Sequence, residues 1–255
     1  MLVLRPGALG DTLLAVPALR ALRRQGGRLT LAAQPGAARL LEQVGEVDRG
    51  LAFDDPALAW VGRDEAAPEP TVAWMSRPLA AALVSAPSRP AEPVHCAAYL
   101  LGTLAPLGIT GPLDETPLRI TPAPSDDVLV HPGSGSTAKN WPAARFAALI
   151  GQLDGPVRLI VGEADAEAAD AVERAFGRTL PRLEQPPLDA LAARLAGGRA
   201  YVGNDSGVSH LAGLSGAQCF VLFGPTDPRV WRPLGPRVSV HPFETAPEAL
   251  ASLLR

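Results

Sequence analysis

Residues 128–150 read VLVHPGSGSTAKNWPAARFAALI. The run from Val128 to His131 suits a short buried strand. A loop of small and hydroxyl-bearing residues follows, and Pro142 stands where a helix can begin without losing a needed N–H. The helix is expected to run from Pro142 to Leu153. A strand, a glycine-containing turn and a helix in this order open an α/β unit built on a parallel sheet.

Toward the C-terminus the alternation continues. Strands are predicted at 157–161, 200–202, 219–223 and 238–240, and helices at 165–176, 188–195, 206–214 and 247–254. This is the pattern of a doubly wound domain, expected over 127–243. Residues 244–255 form a C-terminal helix free to cross back to the first domain. Residues 120–127, ITPAPSDD, have the proline-rich polar composition of a linker.

Toward the N-terminus the same opening recurs. Leu2 to Leu4 is a short strand, Pro6 to Gly10 a turn, and Asp11 to Arg24 a helix with Leu13, Leu14, Leu19 and Leu22 on its apolar face. Pro17 is expected to kink it. A strand over 28–33 and a helix over 37–44 complete a βαβ unit. Between Asp54 and Pro93 only 71–74 reads clearly as a strand, and 97–107 reads as a helix. The expected fold class is therefore α/β. Two Rossmann-like domains face a cleft, and the N-terminal one, residues 1–122, is reduced.

Bulk properties narrow the function. The 255 residues are 47% hydrophobic and 19% charged, ample for packed cores. A formal net charge of −3 argues against a nucleic-acid partner. Cys96 and Cys219 fall one in each half and suggest no disulfide framework. Arg5 and Asp11 interrupt what would be a signal peptide's apolar region, and no run is long enough to span a bilayer, so a cytoplasmic protein is expected. Of the 23 basic residues, 22 are arginine and one, Lys139, is lysine. A lysine kept against that bias calls for a local reason.

Four stretches could carry chemistry. Leu9-Gly10-Asp11-Thr12 follows the first strand, and ligands in open α/β sheets gather at the carboxyl ends of strands. Asp11 is there either a helix N-cap or a general base. In the loop after His131, the small residues let backbone N–H groups approach an anion, and Lys139 adds a point charge. That is what a diphosphate needs. Gly133, Gly135 and Ala138 match G-x-G-x-x-A, but Lys139 to Pro142 intervene before the helix, unlike a dinucleotide fingerprint. In Tyr201 to Leu211 the N–H groups of Ser206, Gly207 and Val208 would open a helix as a second anion site, with His210 a turn further on. There Asp205 could equally be the cap and His210 a core residue. Finally, Phe223 to Pro228 would wall the same pocket, with Trp231 packed nearby. No D-x-D pair, H-x-x-x-H or C-x-x-C occurs, so no metal is expected.

The segments LRPGALGDTLLAVPALRALRR, HPGSGSTAKNWP and NDSGVSHLAGLSGAQCFVLFGPTDPRVWRP together resemble glycosyltransferase family 9, the lipopolysaccharide heptosyltransferases. The resemblance implies the GT-B fold and an inverting, metal-independent transfer from a nucleotide sugar such as ADP-heptose, in cell-envelope synthesis. It implies Asp11 as the general base, and Lys139 against the donor phosphates with Ser134, Gly135, Ser136 and Thr137 in their loop. Asp205, Ser206, Gly207, Val208 and His210 would line the donor site, and Glu163, with Asp165 as competitor, would meet the ribose. The implied partners are a nucleotide-sugar donor and a glycan or glycolipid acceptor, with room for peripheral contact at the inner face of a membrane. No cofactor is implied, and the oligomeric state stays open. The chain departs from the family in three ways. It is short in the acceptor domain. It has Gly7-Ala8 where some members carry serines. It also leaves only Arg63, Arg77 and Arg89, in weakly patterned segments, as basic acceptor contacts. A sugar-nucleotide epimerase or hydrolase on the same fold, or a nucleotide-sugar binder without catalysis, are the alternative readings.

Overall fold

The computed structural model describes residues 1–63 and 65–254. The chain divides between Glu115 and Thr116 into two compact units.

The first unit contains β1 (Leu2–Leu4), α1 (Leu9–Leu13), α2 (Val16–Arg23), β2 (Thr30–Ala33), α3 (Pro35–Gln43), β3 (Arg49–Ala52), β4 (Thr71–Trp74), β5 (Val84–Ala86) and α4 (Cys96–Gly102). Its sheet runs β3-β2-β1-β4-β5, and every pairing is parallel. The strand order reverses between β1 and β4, so their carboxyl ends flank the switch point where such sheets bind ligands. β1 and β4 are buried along their whole length, as strands covered on both faces must be. The expected kink at Pro17 is a full break. α1 ends at Leu13, and Pro17 enters the first turn of α2, where its missing N–H is harmless.

The second unit contains β6 (Val128–His131), α5 (Ala143–Ile150), β7 (Val157–Val161), α6 (Ala166–Phe176), β8 (Arg182–Glu184), α7 (Leu188–Gly197), β9 (Ala200–Asn204), α8 (Gly207–Leu214), β10 (Cys219–Phe223), α9 (Pro228–Trp231), β11 (Val238–Pro242) and α10 (Pro247–Leu253). The sheet order is β11-β10-β9-β6-β7-β8, again all parallel. Its switch point lies between β6 and β9. Val128 and Val130 of β6 enter one core with Phe146 of α5, Val172 of α6, and Leu250 and Leu254 at the C-terminus. The final helix thus packs within the second unit's own core.

The stretch expected as a linker is bonded into the second unit. Leu118 N–H donates to the Leu214 carbonyl, Ala123 N–H to Ala193 and Ser125 N–H to Gly197. Its prolines keep it extended, and the amides of Ala123 and Ser125 find partners on α7. Three strands were not expected from the sequence, β3, β5 and β8. Each is an edge strand of three or four residues, too short and too exposed to show a pattern.

Candidate active site

In the first unit, β1 delivers the chain to Arg5, Pro6 and Gly7. Gly7 has φ +138°, a conformation that L side chains rarely adopt, and a Cβ there would lie 2.9 Å from Asp11 Cβ. A serine at this position would therefore strain the turn and crowd Asp11. α1 starts at Leu9, so the N-cap is Ala8 and Asp11 is the third helical residue. The N-cap alternative for Asp11 is corrected accordingly. From that position Asp11 Oδ2 reaches back to accept the Ala8 N–H at 3.1 Å. Behind it, the guanidinium of Arg5 is fully buried. Its Nε donates to the Asp11 carbonyl at 3.0 Å, one terminal nitrogen to Asp11 Oδ1 at 3.5 Å, and the other to the Ser88 carbonyl at 2.9 Å. Burial pulls the Arg5 pKa below its ordinary value, against the opposing pull of Asp11. The Asp11 side chain keeps 16% of its surface exposed. It is a held carboxylate with an open side.

In the second unit, the loop after β6 makes a single 3-10 turn, Thr137–Lys139, before α5. Lys139 Nζ lies 3.2 Å from Asp205 Oδ2, and the Thr226 hydroxyl donates to the same oxygen at 2.8 Å. These three come from the ends of β6, β9 and β10. Ser134 Oγ donates to the Ser136 carbonyl at 2.6 Å, which tightens the loop on itself. Gly135, Ser136 and Thr137 face solvent. Asn204 straps this loop to β9. Its Oδ1 accepts the Trp141 N–H at 2.9 Å, and its Nδ2 donates to the Pro132 carbonyl at 2.8 Å.

Beneath the loop runs a buried polar network. His131, 2% exposed, has Nε2 2.9 Å from Asp165 Oδ2 and Nδ1 3.2 Å from Ser206 Oγ. Asp165 Oδ2 also accepts the Gly162 N–H at 2.9 Å. Burial pushes the Asp165 pKa up. The hydrogen bond and charge of His131 and the Gly162 amide outweigh it and hold the carboxyl below its ordinary value. Ser206 is the N-cap of α8 and accepts the Ser209 N–H at 3.4 Å. Ser209 Oγ in turn lies 2.8 Å from the Tyr201 hydroxyl, a phenol that burial keeps neutral by raising its pKa. A Cβ on Gly133 would lie 1.9 Å from Asp165 Oδ1. The loop's first glycine is thus required by this carboxylate.

The sequence-derived donor residues fall into three groups. Lys139 meets Asp205, while Ser206, Gly207 and Val208 open α8, and His210 is buried one turn further along. Ser134, Gly135, Ser136 and Thr137 share the loop. Glu163 is exposed just past β7, whereas its competitor Asp165 is buried and committed to His131. A pocket of about 310 Å³ opens beside the loop, lined by Ser134, Thr137, Asn140, Trp141, Ala164 and Glu167 among others. Among the described residues no three His, Cys, Asp or Glu side chains gather as a metal site would need, and no helix is long and apolar enough to cross a membrane.

The sequence did not single out His131, Asn204, Thr226 or Arg5. His131 and Asn204 each end a strand whose carboxyl end forms the site, and that position was the available signal. Thr226 lies in the stretch expected to wall the pocket, and nothing local marks Arg5, one of whose partners, Ser88, lies 83 positions away.

A family model described as glycosyltransferase family 9 (heptosyltransferase) matches residues 113–249, more than half of the chain. No curated protein matches the sequence. Solved structures do share the fold. ADP-heptose lps heptosyltransferase II from E. coli superposes with a TM-score of 0.79 at 17% identity, over 99% of this chain and 96% of that one. The E. coli heptosyltransferase WaaC with ADP gives 0.76 at 17% identity, over 99% and 98%. The iron-containing dodecameric glycosyltransferase TibC from enterotoxigenic E. coli gives 0.58 at 17% identity, over 93% of this chain and 61% of that one.

Proposed function

The chain belongs to glycosyltransferase family 9, and from that premise we propose that it moves a sugar, with inversion, from a nucleotide donor to a hydroxyl of a glycan or glycolipid. ADP-heptose is the proposed donor, since one fold neighbour is the E. coli ADP-heptose lps heptosyltransferase II. The reaction is assigned to the cytoplasm, at the inner face of a membrane when the acceptor is a glycolipid.

One observation carries this reading. Lys139 and the N-terminus of α8 stand together at the switch point of the second sheet, linked through neighbouring Asp205 and Ser206. An inverting transfer places the acceptor hydroxyl opposite the leaving diphosphate. That diphosphate gains charge as it departs. The Lys139 ammonium and the first-turn amides of Gly207 and Val208 are preorganised to receive it. Ser134, Gly135, Ser136 and Thr137 offer hydroxyl and amide donors beside the phosphates. The adjacent pocket has the size of a small-ligand site, and exposed Glu163 is the proposed ribose contact. Asp11 takes the proton from the acceptor hydroxyl. A divalent metal is not required in this scheme, because lysine and amides neutralise the diphosphate.

The test is a transfer assay with ADP-heptose and a panel of glycan and glycolipid acceptors, read by mass spectrometry. Acceptor-dependent glycosylation with release of ADP is expected. ADP release at the same rate without acceptor would replace the transferase reading with a hydrolase.

A further inference from the structure

His131 joins three loops at adjacent strand ends. It closes β6 itself, reaches Asp165 before α6, and reaches Ser206 before α8. Its ring is 2% exposed, so it does not meet a ligand directly.

Hydrogen-bond accounting places a proton on one nitrogen of the ring. Asp165 Oδ2 already accepts the Gly162 N–H, and an ionised carboxylate can only accept. His131 Nε2 therefore carries a proton and donates it. Nδ1 shares the second hydrogen bond of the ring with the Ser206 hydroxyl. Ser206 Oγ also accepts the Ser209 N–H. Asp165, His131 and Ser206 thus form a chain in which both ring nitrogens are engaged. The other end of the chain is fixed sterically, because the Gly133 backbone packs against the Asp165 carboxylate with no space for a side chain.

We propose that His131 is a positioning residue for the donor diphosphate, acting through Ser206 on the α8 N-terminus and through Asp165 on the loop that carries Lys139. The inference rests on the donor reading given above. In it, His131 holds two anion-binding elements in register without touching the anion. A rigid supporting contact of this kind lowers the reorganisation needed when the charge arrives.

The test compares ADP with adenosine by isothermal titration. The proteins are wild type, His131→Asn, Ser206→Ala and the double variant. Asparagine is too short to bridge Asp165 and Ser206 together. His131→Asn is expected to weaken ADP roughly tenfold, in line with the about 10–100-fold effect of groups that orient ligands at metal sites. Adenosine, which lacks the diphosphate, should change by less than about twofold. Because His131 acts through Ser206, the double variant should be little worse than the weaker single one, as coupled residues behave in such cycles. ADP affinity unchanged in folded His131→Asn overturns the proposal. So does a parallel loss of adenosine, which would mean general loosening of the fold. If His131→Asn does not fold, Asp165→Asn takes its place, since it keeps the shape packed against Gly133. The same selective loss of ADP is expected there, and its absence overturns the proposal. A wild type that binds no ADP removes the donor reading and this inference together. Wild-type binding with unchanged variants removes the inference alone.

Discussion

Lys139 Nζ sits 3.2 Å from Asp205 Oδ2, and the two residues lie 66 positions apart in the chain. The one lysine of the sequence is thus held by a carboxylate that is itself nearly buried, its side chain 9% exposed. The pair holds the ammonium beside Asp205, the residue before the N-cap of α8. Thr226 supplies a second hydrogen bond to the same oxygen and so keeps the carboxylate from turning.

Lys139→Ala should weaken nucleotide-sugar binding by about 2–5 kcal/mol, the usual cost of truncating one partner of a partly buried charge contact. Lys139→Arg should also bind poorly, because a planar fork does not replace a compact ammonium beside Asp205 and Thr226. Calorimetric titration measures both. An affinity within twofold of wild type in Lys139→Ala would make Lys139 a structural partner of Asp205 and nothing more.

Asp11→Asn should separate turnover from folding. The amide oxygen can still accept the Ala8 N–H, so the first turn of α1 stays closed. Proton removal is lost, and general-base removal typically lowers the rate by about 10²–10⁴. Melting temperature and donor affinity should stay close to wild type. Turnover near the wild-type rate would take Asp11 out of the mechanism.

Asp165 should make the second unit sensitive to acid. Its folded pKa lies below the ordinary carboxylate value of 3.8. A depressed carboxyl contributes stability that is present above its unfolded value and lost as pH falls through the folded one. Wild type should therefore melt above Asp165→Asn at neutral pH, with the gap closing at pH values below about 4. Melting curves from pH 7 down to pH 3 give the answer. A gap that stays constant across that range would mean Asp165 stabilises by shape rather than charge.

The two glycines of the phosphate loop should behave differently. A Cβ at Gly133 would collide with Asp165 Oδ1, while nothing lies within 4 Å of one at Gly135. Gly133→Ala should destabilise by about 1–3 kcal/mol, as overpacking generally does. Gly135→Ala should melt near wild type. Equal melting temperatures for the two would contradict the packing of Gly133 on Asp165.

Donor binding should persist after metal removal. Titration of ADP-heptose with and without EDTA checks this, and a large loss of affinity in EDTA would show that a cation shares the work assigned to Lys139.

The sequence by itself determined the architecture and the candidate chemistry. The runs Val128–His131 and Cys219–Phe223 are buried on both faces, and burial of that kind leaves a mark in composition that no alignment is needed to read. The positions of Asp11, Lys139 and Asp205 at strand ends were legible for the same reason, since a strand's end shows where its apolar run stops. Edge strands such as Arg182–Glu184 were not legible, because half their surface stays in water and selects no pattern. Only the tertiary structure decided which partners the site residues take. It set Lys139 on Asp205, buried Asp165 under His131 and gave Gly133 its reason to be glycine. It also moved Asp11 from the cap into the first turn. The placements of Lys139, Asp165 and Gly133 depend on contacts between residues tens of positions apart, brought together when parallel strands align their carboxyl ends. Local sequence carries the periodicity of burial, but a hydrogen bond's partner is fixed by where the sheet places it.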